Sequence, residues 1–554
     1  MSKHSLSPAP LPPSKRQHVQ GPSHSNHSSR SNFDALLYDE IVLVIFSYLS
    51  WTDLCAIQST NRNWSRLALD NQVLSFSIFS GQPLWKALYL GEYGRTRLRG
   101  VRGFIGRGDG REVRPLPGRA KSEEVKDWKW MFRISSNWRT GRCSVEALDT
   151  DVQHSLSRVS VPPREQTHIL LAGNVTIFAS SQTSSAPPIV LKAPTHHTHT
   201  MHCRSSVQTQ ITALALDQSP PHSTQHIRLL SFLSTGEFSL FSVDHRTPSH
   251  SSRLLTYVPA ARSARTSPIS QAVYHHPLLV TLSQSFHLSL YDLSSNSVSH
   301  MQTLTSFTSY PPSSLVLSTL VSGDYKLVLA YAIPVFPAHW SVGATELIIS
   351  STSLTVASTR TARATDVPQG WVDESKLQAM REQWSRKVAR VADTQTDGKW
   401  VVLAPADPAA TASATTGSSL PASPSTYASS GMHSASSLQL YRLSFPASLS
   451  ATALPKLTFV RTLHGQIGPV SALALADGRC VSLGVNGSIW VWDLEGGTGA
   501  EVFGSAVCTG KAEVSEDRLK RLDARKTVKG TVVFDERRIL SADGDGVHVW
   551  RFDV

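Results

Sequence analysis

The 554-residue chain is short of charge, of cysteine and of long apolar runs, and each shortage excludes something. Charged residues make up only 17% while hydrophobic residues reach 40%, which excludes a wholly disordered chain and leaves material for about three domains, or one large repeat fold with additions. The five cysteines, Cys55, Cys143, Cys203, Cys480 and Cys508, lie far apart with no C-x-x-C pair. Neither a disulfide framework nor a zinc knuckle is encoded, and a reducing compartment is expected. Apolar runs such as Ile41 to Phe46 stay far below the roughly 18 residues a spanning helix needs, and no apolar signal-peptide core follows the N-terminus. The expectation is a soluble intracellular protein, cytoplasmic, nuclear or both.

Recognisable chemistry is also scarce. No G-x-x-x-x-G-K-[ST], G-x-S-x-G or H-E-x-x-H phrase occurs, so phosphate cradling, a nucleophile elbow and zincin chemistry lack their signals. In HHTHTMHC, His196, His197, His199, His202 and Cys203 are zinc-ligating types, but no second cluster at a fixed distance completes a tetrahedron; the stretch reads as a polar loop. The chain is expected to need no cofactor or metal and to be no enzyme.

Acidic residues are fewer than basic ones, 41 against 53, for a net charge of +12. The excess is concentrated between Arg95 and Arg142, with fourteen Arg and Lys against five Asp and Glu. Contact with nucleic acid or another polyanion is one reading of this stretch. A solvated loop between helices is the other, favoured because Arg97 to Arg119 are spaced by glycines without a regular stacking platform.

Residues 1–32 are Pro, Ser, His and basic residues with almost nothing to bury, a disordered tail; its Lys15-Arg16 pair is weak evidence for a nuclear-import signal. Order begins at Phe33. Leu37, Ile41, Ile45 and Leu49 recur every four residues with Val44 and Tyr48 beside them, the stripe of an amphipathic helix. Thr52 or Asp53 reads as the next cap, and Leu54, Ile57, Trp64 and Leu67 continue on shorter helices, giving a trihelical unit over 33–80. So small a unit leaves apolar side chains exposed unless a partner covers them, which points to a docking module. A helical and basic linker follows over 81–142, with one face at Trp85, Leu88 and Tyr89 and another at Trp128, Met131, Phe132 and Ile134.

From Cys143 the period changes to short β-branched and aromatic stretches bounded by Gly, Pro, Ser and Asn. Two units are clear, GQIGPVSALALADGRCVSLGVNGSIWVWDLEGG and GTVVFDERRILSADGDGVHVWRFDV, whose Asn486-Gly487 and Asp545-Gly546 turns suit the positive φ of two-residue hairpins. Two inserts interrupt the series. An amphipathic helix of about twenty residues within 371–393 places Leu377, Met380, Trp384, Val388 and Val391 on one face, packing on the flank or binding a partner, and 404–437 is a disordered Ala/Ser/Thr/Pro/Gly loop.

The phrase L-x-x-E-I-x-x-x-I-F-S-Y-L, then D-L, then Trp and Leu-Ala, carried by Leu37, Glu40, Ile41, Ile45, Phe46, Leu49, Asp53, Leu54, Trp64, Leu67 and Ala68, resembles the F-box. Tyr38 stands where most F-boxes have proline, and Thr60 and Asn61 replace the usual Cys and basic residue. The phrase at Asn137, Trp138, Gly141 and Cys143 resembles the lead into the first strand of F-box propeller proteins. The two clear units resemble WD repeats, with Gly465, Val470, Leu473, Asp477-Gly478 and Trp492-Asp493 in the first and Trp550-Arg551 in the second; Gln466 and Asn486 replace the usual His and Asp, and earlier clusters keep only a Tyr291-Asp292 echo. The resemblance implies an α+β multidomain chain, a trihelical F-box before an all-β degenerate propeller over 143–554. Seven blades are expected, with the strand at Cys143 to Leu148 completing the last.

By the same resemblance the chain is a substrate receptor of an SCF-type cullin–RING ubiquitin ligase. Leu37, Ile41, Ile45, Phe46, Leu49, Leu54, Trp64 and Leu67 would hold the Skp-type adaptor and the propeller would hold a protein target, whose phosphorylation the sequence leaves open. The alternative is a propeller scaffold whose basic linker binds RNA or another polyanion.

Overall fold

The computed structural model describes residues 37–69, 84–93, 128–148 and 166–553, less 173–174, 194–197, 206, 220–225, 245–246, 261–265, 296, 336–337, 366–369, 407–436, 446–454, 477, 505–528 and 544–545. The N-terminal tail, Arg97 to Arg119, His196, His197, Asp477, Cys508, Asp545 and most of the Ala/Ser/Thr insert lie outside the described residues. Two compact units divide the chain, Met1–Leu84 and Trp85–Val554.

In the first unit, helix α1 (Asp39–Phe46) carries Asp39 and Glu40 in its first turn, favourable beside the helix N-terminus. Helix α2 (Trp51–Ile57) is capped by Ser50, whose side chain accepts from the Asp53 amide. This corrects the cap expected at Thr52 or Asp53, because Ser50 is the residue left in extended conformation before the turn. Asn61 Oδ1 accepts from the Trp64 amide at 2.7 Å at the start of helix α3 (Arg62–Leu69). Val42, Leu43, Phe46, Leu54, Leu67 and Ala68 are buried, with the Phe46 and Trp64 rings edge to face at 5.8 Å.

The second unit is a seven-bladed propeller. Blades 1 to 6 are four-stranded antiparallel sheets over 167–202, 211–257, 269–305, 310–363, 391–463 and 470–501. Each strand is extended because β-branched and aromatic side chains fill a pleated surface, and the blades bury those side chains against one another. Between blades 1 and 2, for instance, Val175, Ile177, Ile189 and Leu191 meet Ile211, Leu229 and Phe241. Blade 7 combines Thr531–Phe534, Arg538–Asp543 and Gly546–Arg551 with the distant strand Arg142–Leu148, which pairs antiparallel with Gly546–Arg551 from Ser144↔Arg551 to Leu148↔Val547. The expected closure is therefore present, with the N-terminal strand supplying the outer side of blade 7.

Helices α4 (Leu84–Tyr93) and α5 (Trp128–Thr140) lead into that strand. They meet through Trp85 with Phe132 and Tyr89 with Trp128, at 5.6 and 5.7 Å between rings. Trp138 of α5 stacks on Phe552 at 4.0 Å, donates from Nε1 to the Glu536 carbonyl at 2.8 Å and lies under the Arg479 guanidinium. Asn137 Nδ2 donates to the Phe552 carbonyl. Gly141, at φ +73°, turns the chain from helix to strand against Glu501.

Two expectations change. The helix of the insert is α6 (Glu374–Ser385), twelve residues, because Val388 leaves it to bridge Trp340 and Val391 opens the inner strand Val391–Thr396 of blade 5. The HHTHTMHC stretch is no loop either: Thr198–His202 is the outer strand of blade 1, and Cys203 is buried beside Ser231 Oγ at 3.3 Å. The strand before the Ala/Ser/Thr insert, Trp400–Pro405, runs through Ala404.

Candidate functional site

The eight residues expected to hold an adaptor divide by position. Ile41 and Ile45 stand out of α1 at 46% and 41% exposure. Leu37, Leu49 and Trp64 are half-buried. Phe46, Leu54 and Leu67 are enclosed within the helical unit; they set its shape and offer no surface to a partner. Spacing alone missed part of the exposed set. Tyr38, Val44, Tyr48 and Trp51 are also exposed, Tyr38 and Tyr48 most of all. The signal was present in the 3-4-3 spacing of Tyr38, Ile41, Ile45 and Tyr48, in which Ile41 and Ile45 share one side of the helix and the two tyrosines flank its ends. Val42, Leu43 and Phe46 supply the opposite, inward side. An apolar strip this continuous on so small a unit is the mark of an interaction site.

In the propeller, the inner strands enclose a channel with a cavity of about 270 Å³, lined among others by His168, Gln271, Asp393, Gln395 and Lys529. Asp393 Oδ2 accepts from the Leu473 amide at 2.8 Å and Oδ1 from the Thr394 amide at 2.9 Å, tying blade 5 to blade 6. Burial pushes its carboxyl upward, opposed by the Lys529 charge and by those two amides.

His168 Nε2 lies 3.2 Å from the Ile211 carbonyl, and burial holds this imidazole down at about 4, aided by the Lys529 charge. Its folded value lies below the 6.5 of the free group, so as pH falls from 6.5 the unfolded chain takes up the proton first and stability is lost down to about pH 4, by at most about 3 kcal/mol. The melting temperature is therefore expected to fall between pH 6.5 and 4.5 more steeply in the wild type than in His168→Gln. Parallel curves would exclude His168 as the group responsible.

Blade 6 keeps a buried polar relay despite its departures from the WD pattern. Trp492 Nε1 donates to Ser482 Oγ at 2.9 Å, and Ser482 Oγ donates to Gln466 Oε1 at 2.6 Å. Trp550 repeats the first link to Ser541 at 3.1 Å. Burial pushes the Cys143 thiol up to about 12 and raises Cys203 and Cys480 as well, so these thiols are protonated at neutral pH and serve as core. Among the described residues no three His, Cys, Asp or Glu side chains gather into a metal-holding group, and no helix is long and apolar enough to cross a membrane.

A family model described as F-box protein pof12 beta-propeller matches residues 156–531, and one described as F-box-like matches residues 39–80. No curated protein matches the chain. Among solved structures it is similar to the β-propeller domain of Myceliophteria thermophila Cps50 (Swd1), at 10% identity over 70% of this chain and 99% of that one, with a TM-score of 0.34. It is also similar to BamB from Moraxella catarrhalis, at 10% identity over 74% and 98% with a TM-score of 0.31, and to Saccharomyces cerevisiae Sqt1, at 9% identity over 68% and 81% with a TM-score of 0.35.

Proposed function

Because the chain belongs to the F-box protein pof12 beta-propeller family, we propose that it is the non-catalytic substrate receptor of an SCF-type cullin–RING ubiquitin ligase. The observation that carries this reading is the exposed strip of Ile41, Val44 and Ile45 on α1, flanked by exposed Tyr38 and Tyr48 at its two ends, at the start of the segment that matches an F-box-like model. A Skp-type adaptor covers that strip, and the propeller holds the target protein. Catalysis then belongs to the partners, and the receptor contributes proximity by raising the effective concentration of target lysines at the charged conjugating enzyme. The compartment is the cytoplasm, the nucleus or both.

Ile41 and Ile45 point outward, so Ile41→Asp with Ile45→Asp leaves the fold intact while placing two charges in the interface. Co-purification with the Skp-type adaptor and cullin is expected to drop more than tenfold in this double variant, with an unchanged melting temperature. A wild-type chain that fails to bring down the adaptor would overturn the reading.

A further inference from the structure

The antiparallel order of each four-stranded blade puts the start of every inner strand on the face that carries the blade-to-blade connections. Polar side chains gather in the channel at that end. His168 is the second residue of the inner strand Thr167–Ala172, Gln271 the third of Ile269–His275, and Lys529 lies just before Thr531–Phe534. All three line the cavity of about 270 Å³ described above. Thr531 joins Lys529 on the blade 7 wall, and Gln271, on blade 3, stands on the wall opposite.

Each of these groups has bonding capacity left over. Gln271 Nε2 donates to the Ser313 carbonyl, which can only accept, so the amide is fixed with Oε1 as an acceptor; Oε1 is enclosed with no donor among the described residues. His168 Nε2 must likewise donate to the Ile211 carbonyl, which leaves Nδ1 of the neutral ring as an acceptor. Thr531 Oγ1 is enclosed without a partner among the described residues. Lys529 makes no hydrogen bond or ion pair among them. Of the described residues that line the cavity, only Asp393 and Lys529 carry charge. Asp393 is committed to the Leu473 and Thr394 amides, with Gln395 Nε2 at 3.5 Å from both of its oxygens, and Lys529 acts on it only through space. The channel therefore presents an uncommitted cation and a hydroxyl on one wall and neutral acceptors on the others. Enclosed polar groups in this condition are costly until something pairs with them.

We propose that this cavity holds the carboxyl end of a target polypeptide, with the terminal carboxylate against Lys529 and Thr531 and a backbone N–H of the last residues toward Gln271 Oε1. The proposal rests on the receptor reading above and locates its target site. A chain end joins an anion to N–H donors over a short span, and the charge-assisted bond to the ammonium supplies most of the preference. Size argues the same way. The cavity lies just below the ~300 Å³ at which small-ligand pockets begin, so a chain can end in it, whereas an internal Asp or Glu brings the same carboxylate with two arms of chain attached.

The test immobilises the full chain and offers three peptide pools, each Gly-Ser-Gly-Ser followed by two residues randomised over the uncharged types, with the retained fraction read by mass spectrometry. One pool ends in the free acid, one in the amide, and one in the amide with Asp in place of the second Ser. The free acid is expected to be retained at least about tenfold over both amides. Lys529→Gln is expected to abolish that preference, and Thr531→Val to lower retention of the free acid about threefold. Neither side chain has a hydrogen-bond partner among the described residues, so both variants should keep the wild-type melting temperature and adaptor binding. Equal retention of the free acid and the plain amide, a preference undiminished in Lys529→Gln, or no retention of any pool would overturn the proposal. Retention of the Asp amide equal to that of the free acid would overturn the chain-end assignment in favour of an acidic side chain. Adaptor binding without peptide retention removes the channel site and keeps the receptor reading; peptide retention without adaptor binding does the reverse.

Discussion

A Gly141→Val chain is expected to lose its last blade. Gly141 sits at φ +73° between α5 and the closing strand, and a Cβ there would overlap the backbone carbonyl of Glu501. A β-branched residue is strained at positive φ even in open space, and here the clash is with backbone, which cannot rotate away. The strain falls where the closing strand meets both neighbours, pairing parallel with Phe503–Gly504 and antiparallel with Gly546–Arg551. It also displaces Trp138 from its stack on Phe552, exposing a large buried contact. A cost above about 3 kcal/mol is expected, read as a melting temperature lower by more than about 5 °C and as new proteolytic cuts in 531–551. Gly141→Ala should fall between. A Gly141→Val protein melting with the wild type would show that the closing strand contributes little.

The second large effect is expected at Glu346. Its side chain is 2% exposed, with Lys326 Nζ at 2.7 Å and Arg360 Nε at 2.8 Å, Arg360 also binding through Nη2. Both cations lie 5.6 Å from the Phe445 ring of blade 5, so the triad spans the seam between blades. Removing the carboxylate in Glu346→Ala leaves two partly buried cations facing each other, and a loss of about 3 kcal/mol is expected. Lys326→Met should cost much less, because Arg360 still satisfies the carboxylate and the methionine stem covers the same ring. Equal losses in the two variants, measured by chemical denaturation, would refute this division of roles.

The parts of the fold legible in the sequence are those where one residue type has one local use. Gly487 at φ +80° marks a hairpin, but its loop holds three residues and not the two expected, since the Gly484 amide donates to the Ser488 carbonyl and Asn486 is not at positive φ. Trp492 is buried near the end of its strand, as the WD-like pattern implies, and Trp550 is half-buried. Asn137, Trp138, Gly141 and Cys143 foretold the lead into the ring because each meets a specific demand there: an amide for the Phe552 carbonyl, a ring for its face, a positive φ and a small buried side chain. The insert was misjudged in length because Val388 and Val391 continue a helical spacing, while their partners Trp340 and Pro405 are distant in sequence and impose extended backbone. On α1 the apolar residues surround the helix, so periodicity found the Ile41–Ile45 strip without indicating that Val42, Leu43 and Phe46 would win the interior. Burial is decided by α3, through Trp64, Leu67 and Ala68, and not by the helix itself. The long strands Tyr325–Val335 and His339–Ile349 of blade 4 and the attachment of the insert to them were not legible, since the attachment rests on a bridge across 48 positions, Trp340 to Val388.

The way blade 7 is assembled also sets a schedule. The strand Arg142–Leu148 is synthesised about 400 residues before its antiparallel partner Gly546–Arg551, which at roughly 5–20 residues per second amounts to about 20–80 s on the ribosome. Throughout that interval its edge toward Gly546–Arg551 lacks its partner strand, next to a growing arc of blades that each present the same kind of edge. A nascent chain therefore carries a template for mispairing until Gly546–Arg551 is made, and crowded polysomes, where two such arcs lie side by side, are the setting in which a blade from one chain can close the ring of another.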